Sequence, residues 1–319
     1  MRRALVTGSS GFVGRALVAE LRRRGFLVRG AVRRRPPQAT DGELIEVGEL
    51  SGSTDWSAAL QGVDTVFHLA ARVHQVGDTG DAGEAAYQRA NADATAALAR
   101  AAIKGGTRRF VFVSSVKVMG EVSAERPFDE SDPPQPQDAY GRSKLAAERE
   151  LLQLAGQIEV SIVRPPLVYG PGVRANFLTL LKIAASGWPL PLGAAQAVRS
   201  MAFIDSLVDA LIACAMVPHG SPATYFVSDG RDISVAELIR VMRKEMGLPA
   251  RLWTLPAGVV QGAARLLGRA DAAPRLFSPL QVNIARIRSD LGWSPPVTAE
   301  EGLRATARWF VQAHAAGAN

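Results

Sequence analysis

The stretch TGSSGFVG, residues 7–14, decides how the first part of the chain is read. Its glycines stand at 8, 11 and 14. Before them lies the apolar run RALVTG (3–8), and after them Phe12, Val13, Ala16, Leu17, Ala19 and Leu21 recur with a helical period. A strand, a glycine turn and a helix in that order bring backbone amides and the positive end of a helix dipole to one point, which suits a pyrophosphate. The spacing alone also fits a tight turn without ligand, so the rest of the chain has to decide.

Gly25 offers a stop for that helix, and FLVRGAV (26–32) reads as a second strand. ELIEVG (43–48), VDTVFHLAA (63–71), RRFVFVSS (108–115) and VSIVRPPLVYG (160–170) follow as further apolar runs, separated by helical patterns such as AYQRANADATAALARAAIKGG (86–106). Strands alternating with helices predict an α/β chain with a doubly wound, Rossmann-type parallel sheet covered on both faces. The proline-rich, acidic PFDESDPPQPQD (127–138) predicts a surface loop or lid.

Beyond residue 170 the alternation breaks down into GPGVRANF (170–177), WPLPLG (188–193) and the helical ISVAELIRVMRKEMG (233–247). The expected division is a dinucleotide-binding domain over 1–170 and a smaller, substrate-binding α/β lobe over 171–319. Residues 199–228, with TYFVSD (224–229), are expected to return to the main sheet.

The 319 residues include 47% apolar ones, enough for a substantial core, and carry a formal net charge of +7. The excess suits anionic ligands. No basic helix with interleaved aromatics appears, so a nucleic-acid partner is not expected. Cys214 is the one cysteine, in ALIACAMV (210–217), which excludes a disulfide within the chain and points to a reducing cytosol. His68, His74, His219 and His314 lack metal-ligand spacing, so no metal is expected. The apolar stretch in MRRALVTG is too short for a signal peptide, and no segment reaches the roughly 18 apolar residues that span a bilayer. A soluble cytoplasmic protein is the expectation.

In YGRSK (140–144), Tyr140 and Lys144 stand four residues apart and share a helical face. An ammonium beside a phenol favours the phenolate, which predicts a lowered tyrosine pKa and an acid/base usable near neutral pH. In FVSSVKVMG (112–120), Ser114 and Ser115 end a buried strand, where parallel sheets place ligand-contacting groups. Each feature alone has a plain reading, a chance spacing or a turn-forming serine. Their order along one chain favours the functional one.

At this point the chain resembles the extended short-chain dehydrogenase/reductase family, the NAD(P)-dependent nucleotide-sugar epimerases, dehydratases and reductases. The resemblance runs from TGSSGFVG through VDTVFHLAA, Asn91 in ANADAT, SSVKVMG, YGRSK, RPPLVYGPG and Arg199 in RSMAFIDSLVDA to LGWSPPVTAEEGL. Within the family it is most similar to bacterial enzymes of surface-polysaccharide assembly that work at C4 of UDP-N-acetyl-deoxyhexoses.

The resemblance implies Tyr140 as acid/base, Ser115 as the hydrogen-bond partner of the reacting sugar oxygen, and Lys144 on the nicotinamide ribose. It implies a cofactor site of Gly8, Ser10, Gly11, Phe12, Val13, Gly14, Arg33, Arg34, Glu49, Leu50, Leu69, Ala70, Ala71, Asn91, Val113, Pro165 and Val168, shared with Tyr140 and Lys144. It implies substrate contacts at His74, Lys117, Asn176, Arg199 and Arg275, with Asn176 and Arg199 on the UDP diphosphate.

Several positions depart from the family pattern. Val32, Arg33, Arg34 and Arg35 stand where NAD-preferring members carry an acidic residue, and guanidinium groups there suit a 2′-phosphate, so NADP(H) is favoured with NAD(H) the alternative. Glu49 replaces an aspartate, Met119 a tyrosine and Leu167 an asparagine; Met119 and Lys117 are positions expected to influence the sugar. The carboxylate that a dehydratase needs after the serine is absent from VKVM. The first reading is therefore reduction of a UDP-4-keto-6-deoxy-N-acetylhexosamine. The alternative is a UDP-hexose 4-epimerase with tightly bound NAD, and a remoter one is a non-catalytic dinucleotide-binding protein. A homodimer is implied by the resemblance alone.

Overall fold

A computed structural model describes residues 2–35, 43–73, 80–123, 125–217, 221–256, 258 and 277–315. Its centre is a seven-stranded sheet. The strands are β1 (Arg3–Thr7), β2 (Leu27–Val32), β3 (Glu43–Glu46), β4 (Thr65–His68), β5 (Arg109–Val113), β6 (Glu159–Arg164) and β10 (Ala223–Phe226), in the spatial order β10-β6-β5-β4-β1-β2-β3 with every pairing parallel. The order reverses between β1 and β4, which opens a crevice beyond their carboxyl ends, the usual place for a ligand in such sheets.

Alternate residues of each strand feed two separate cores. Ala4 and Val6 of β1 join one cluster with Leu17 and Leu21, while Leu5 joins the other with Phe110 and Phe112. This double burial is why the strands read as unbroken apolar runs. One face is covered by α1 (Phe12–Arg23) and α7 (Ile204–Met216), which pack on each other. The other carries α4 (Ala94–Lys104) and α5 (Ala139–Leu154).

The helix expected over 86–106 is divided. Helix α3 (Gly80–Tyr87) passes through a π-helical turn, Gln88–Asp93, into α4. Such turns are common at functional sites, and this one presents Asn91. Ala99 and Ala102 of α4 lie in the core of this same chain, so that alanine face packs inward on the sheet.

The second lobe is built from short pieces. β7 (Leu167–Tyr169) pairs in parallel with β9 (Met201–Phe203), and β8 (Val198–Arg199) pairs antiparallel with β11 (Ile233–Ser234). Around them stand α6 (Ala175–Ala185), α8 (Val235–Glu245), α9 (Ala285–Leu291) and α10 (Ala299–Ala315). The acidic segment 127–138 is a strap tied to this lobe. The Phe128 N–H donates to the Gln281 carbonyl at 2.8 Å, the Asn283 N–H to the Phe128 carbonyl at 2.8 Å, and the Phe226 N–H to Glu130 Oε1 at 2.8 Å. Among the described residues no helix is long and apolar enough to cross a membrane.

Candidate active site

The glycine turn is shaped by close approach of backbone to backbone. Gly8 has φ +68°, and a Cβ there would lie 2.9 Å from the Ala70 nitrogen. A Cβ on Gly14 would come within 2.0 Å of the Gly8 carbonyl oxygen, so α1 packs onto the turn only because position 14 has no side chain. Gly11 begins the helix without a side-chain cap, which leaves the first amides of α1 to a ligand. This cradle fits a dinucleotide pyrophosphate. Ser10 is exposed beside it, and Phe12 and Val13 are half-buried in the first turn of α1.

A buried polar chain holds the opposite wall. Thr95 Oγ1 donates to the Asn91 carbonyl at 2.5 Å and therefore accepts from His68 Nε2 at 2.9 Å. That assigns the tautomer: Nδ1 of His68 accepts from the Thr7 hydroxyl at 2.7 Å. Thr7 Oγ1 in turn accepts the amides of Leu69 and Ala70 at 3.2 and 3.1 Å, fixing the start of the 69–71 segment. Burial, then the charge of Lys144, pushes the His68 pKa down to about 3, so the ring is neutral and structural. Sequence reading missed this chain. A lone polar residue in the apolar run VFHLAA was its only signal.

Ser115 follows β5, and Tyr140 lies in the first turn of α5, whose cap is Asp138. The two hydroxyls are hydrogen-bonded to each other. Burial first, then the Asp138 charge, raises the Tyr140 pKa above the ordinary phenol value, while the Ser115 bond opposes the rise. Lys144 does not face the phenol as the spacing predicted. Its Nζ donates to the Val113 carbonyl at 2.8 Å and lies 4.5 Å from the Phe112 ring centre, and burial pushes its pKa down to about 7 against the opposing Glu148 charge. The expected lowering of the Tyr140 pKa is thus corrected: in the ligand-free chain desolvation outweighs the ammonium.

Ser114 points elsewhere. Its hydroxyl donates to Glu148 Oε1 at 2.5 Å, within a buried pair of Glu148 with Arg164 at 2.6 Å. Met119 is buried with its sulfur 3.1 Å from the Arg164 guanidinium, packed into the core where the sequence had suggested a sugar contact. Asn91 Oδ1 accepts from the Arg72 N–H at 2.7 Å, and its amide donates to the Arg72 carbonyl at 3.1 Å and to Ser143 Oγ at 2.9 Å. Ser143 Oγ donates to the Tyr140 carbonyl at 2.8 Å. Asn91 therefore joins the loop after β4 to the catalytic helix.

The Pro165 carbonyl accepts from the Val116 N–H at 3.0 Å, while Leu50, Leu69, Ala70, Ala71 and Val168 are half-buried. Arg33 lies 3.8 Å from Glu49 with both side chains exposed, and Arg34 is exposed beside it. Lys117 bonds to Glu121 at 2.8 Å and to Asp138. Arg199 is half-buried, and its guanidinium donates to the Ser278 carbonyl at 2.7 Å. Asn176 falls in the first turn of α6. His74 and Arg275 lie outside the described residues. Among the described residues no group of three His, Cys, Asp or Glu side chains could hold a metal.

The description "NAD dependent epimerase/dehydratase family" matches residues 4–227, well over half of the chain. The chain belongs to the NAD-dependent epimerase/dehydratase family. It is an enzyme of that family, and NAD is the family's cofactor. This family enzyme is 40% identical over 317 residues to a UDP-glucose 4-epimerase of Vibrio cholerae, covering 97% of this chain and 96% of the relative. It is 26% identical over 327 residues to an undecaprenol-linked N-acetyl-α-D-glucosaminyl diphosphate 4-epimerase of Escherichia coli O157:H7, covering 97% and 95%. Among solved structures, MoeE5 in complex with UDP-glucose and NAD superposes with a TM-score of 0.77 at 29% identity, covering 98% of this chain and 99% of that one. The expected doubly wound α/β fold is the fold of this neighbour. For activity, these likenesses favour the epimerase alternative over the reductase of the first reading.

Proposed function

We propose that this enzyme is a 4-epimerase of a UDP-hexose of the UDP-glucose type and keeps its NAD bound. The observation that carries the proposal is the hydrogen-bonded hydroxyl pair of Ser115 and Tyr140 beside the glycine cradle, in a chain 40% identical to a UDP-glucose 4-epimerase. NAD, when bound, would supply the acceptor and donor of the sugar C4 hydrogen. Gly8, Gly11 and Gly14 would hold its pyrophosphate.

The chain's own groups supply the proton chemistry and the grip. Ser115 orients the sugar hydroxyl, and Tyr140 takes its proton and later returns it. The substrate would bring Lys144 into service: its ammonium, held at the Val113 carbonyl next to Tyr140's helix, would favour the phenolate once the site is filled. Asn176 and Arg199, from the lobe over 171–319, would hold the diphosphate against the domain over 1–170. A ketone retained by its diphosphate is free to turn its other face to the same groups, so one constellation serves both half-reactions.

A second reading has one observation behind it. Arg33 and Arg34 are exposed just after β2, where a 2′-phosphate would sit, which favours NADPH and net reduction of a UDP-4-keto-6-deoxy-N-acetylhexosamine. A glutamate 3.8 Å from Arg33 offsets part of that charge. Assembly as a homodimer is a further proposal, read out by light scattering.

The test is the nucleotide released from freshly purified protein on denaturation, with UDP-glucose turnover measured for wild type and Tyr140→Phe. Bound NAD, UDP-galactose formed without added cofactor, and a Tyr140→Phe variant that keeps NAD but loses turnover by about 10²-fold or more support the proposal. An empty site with NADPH-dependent consumption of a 4-keto sugar supports the reductase. Full activity in Tyr140→Phe overturns both.

A further inference from the structure

We propose that Lys117 is a positioning residue, which ties the turn carrying Ser115 to the cap of the helix carrying Tyr140 and so keeps the two hydroxyls in register for proton transfer. The inference rests on the reading of Ser115 and Tyr140 as the proton pair. It assigns Lys117 a role different from the sugar contact that the family resemblance implied.

Three contacts from one residue make the tie. The turn is a single one of 3-10 helix, Val116–Val118, and the Lys117 N–H donates to Ser115 Oγ at 3.2 Å. Its ammonium reaches across to Asp138 and also to Glu121 Oε1 at 2.8 Å. Asp138 uses its other oxygen, Oδ1, to accept the Gly141 N–H at 2.7 Å and cap α5 one residue before it begins. The third contact is backbone on backbone: a Cβ on Gly141 would lie 2.6 Å from the Lys117 carbonyl oxygen. Ser115 and Tyr140 are separated by 24 intervening residues, and segment 127–138 between them runs off to the other lobe. Without a cross-tie, only the Ser115–Tyr140 bond itself would align them.

The same ammonium balances charge. The groups around Tyr140 are Asp138 at the helix cap, Lys144 on the same helix, Tyr87 of α3 with Arg72 over its ring at 5.8 Å, and Lys117 with Glu121 from the turn after β5. Asp138 raises the proton affinity of Tyr140, and Lys117 is the cation bonded directly to Asp138. Lys117 is half-buried and shared between two carboxylates, so this pair is less screened than an exposed one.

The experiment compares Lys117→Met, Lys117→Arg, Asp138→Asn and the double variant Lys117→Met/Asp138→Asn as NAD-loaded enzymes. Turnover of UDP-glucose is followed across pH, or of the 4-keto sugar nucleotide with NADPH if the wild type leaves UDP-glucose unchanged. In Lys117→Met, kcat should fall about 10-fold or more with KM within about 2-fold, and the pH profile of kcat should move to higher pH. Lys117→Arg should recover most of the loss. Asp138→Asn keeps a capping oxygen and should move the profile to lower pH, and in its background Lys117→Met should lose much less than alone.

A rise in KM at unchanged kcat would make Lys117 a sugar contact and overturn the inference, as would additive losses in the double variant. If Lys117→Met melts before assay, the opposite shift in Asp138→Asn decides, and no shift there also overturns it. Inactive Tyr140→Phe beside wild-type Lys117→Met rejects this inference alone, whereas active Tyr140→Phe rejects the proton-pair reading beneath it.

Discussion

The glycine cradle and the second lobe hold their ligand groups in different ways. In the cradle, recognition is by main chain. Gly8, Gly11 and Gly14 are pressed against Ala70, against each other and against α1, and the Thr7–His68–Thr95 chain stiffens the wall facing them. In the lobe, Asn176 stands at the start of a helix, and Arg199 stands on a two-residue strand bonded to a neighbouring loop carbonyl. The cradle has no spare volume; the lobe has adjustable side chains. That contrast teaches where the family can vary: the cofactor half has to be rebuilt as a unit, while the substrate half tolerates exchange residue by residue.

Gly14→Ala should give the largest effect and is the sharpest way to break the comparison. The added methyl would stand 2.0 Å from the Gly8 oxygen, so the turn or the helix must move. Calorimetry should show a loss of about 3 kcal/mol or more, with no measurable NAD binding. Gly25 is the control within the same unit. It has φ +82° but nothing within 4 Å of an added Cβ, and Gly25→Ala should cost about 1 kcal/mol with NAD binding intact. Equal costs at the two positions would show that crowding is not what makes the cradle rigid.

Lys144→Met tests the next level, where function opposes stability. Lys144 is buried, and its pKa is pushed from 10.5 down to about 7. Between those values the unfolded chain binds the extra proton, so this group's contribution to stability rises with pH from about 7 to 10.5 and is least favourable below 7. In the ligand-free protein, Lys144→Met should therefore raise Tm relative to wild type at pH 6, by up to a few kcal/mol of stability, with the gain shrinking towards pH 10. Turnover should be lost. A variant less stable at pH 6 than at pH 10, relative to wild type, would mean that the Val113 bond outweighs desolvation.

Arg199→Ala should have the smallest effect on the fold. One hydrogen bond to the Ser278 carbonyl is lost, about 1 kcal/mol, and NAD affinity should be unchanged. KM for the UDP-sugar should rise about 10-fold to 100-fold if the arginine holds the diphosphate. An unchanged KM would move substrate recognition away from the lobe and blur the comparison.

Much of this was legible because it is local. The apolar runs for β1, β2, β4, β5 and β6 reflect strands buried on both faces, and the glycine spacing reflects backbone crowding that only a missing Cβ relieves. Tyr140 and Ser115 were found by their places at a helix start and a strand end. Met119 misled because an apolar residue in a family's polar position says nothing of which way it points; here it turns to Arg164. The π-helical turn was hidden inside an alanine-rich pattern that satisfies an ordinary helix equally well. The reductase reading leaned on arginines whose effect depends on a carboxylate 16 positions away, Glu49.

By itself, the sequence determined the alternation of strands and helices, the places where no side chain is tolerated, and the residue types available for proton transfer. These follow from periodicity and from the covalent nature of each residue, which act over a few positions. Only the tertiary structure decided which partner each charge takes. Lys144 bonds to Val113 instead of Tyr140, Lys117 bridges Glu121 and Asp138, and Glu148 is shared by Ser114 and Arg164. The reason is physical: in a desolvated interior an ion takes the nearest group that replaces its water, and nearness there is set by packing of elements far apart in the chain.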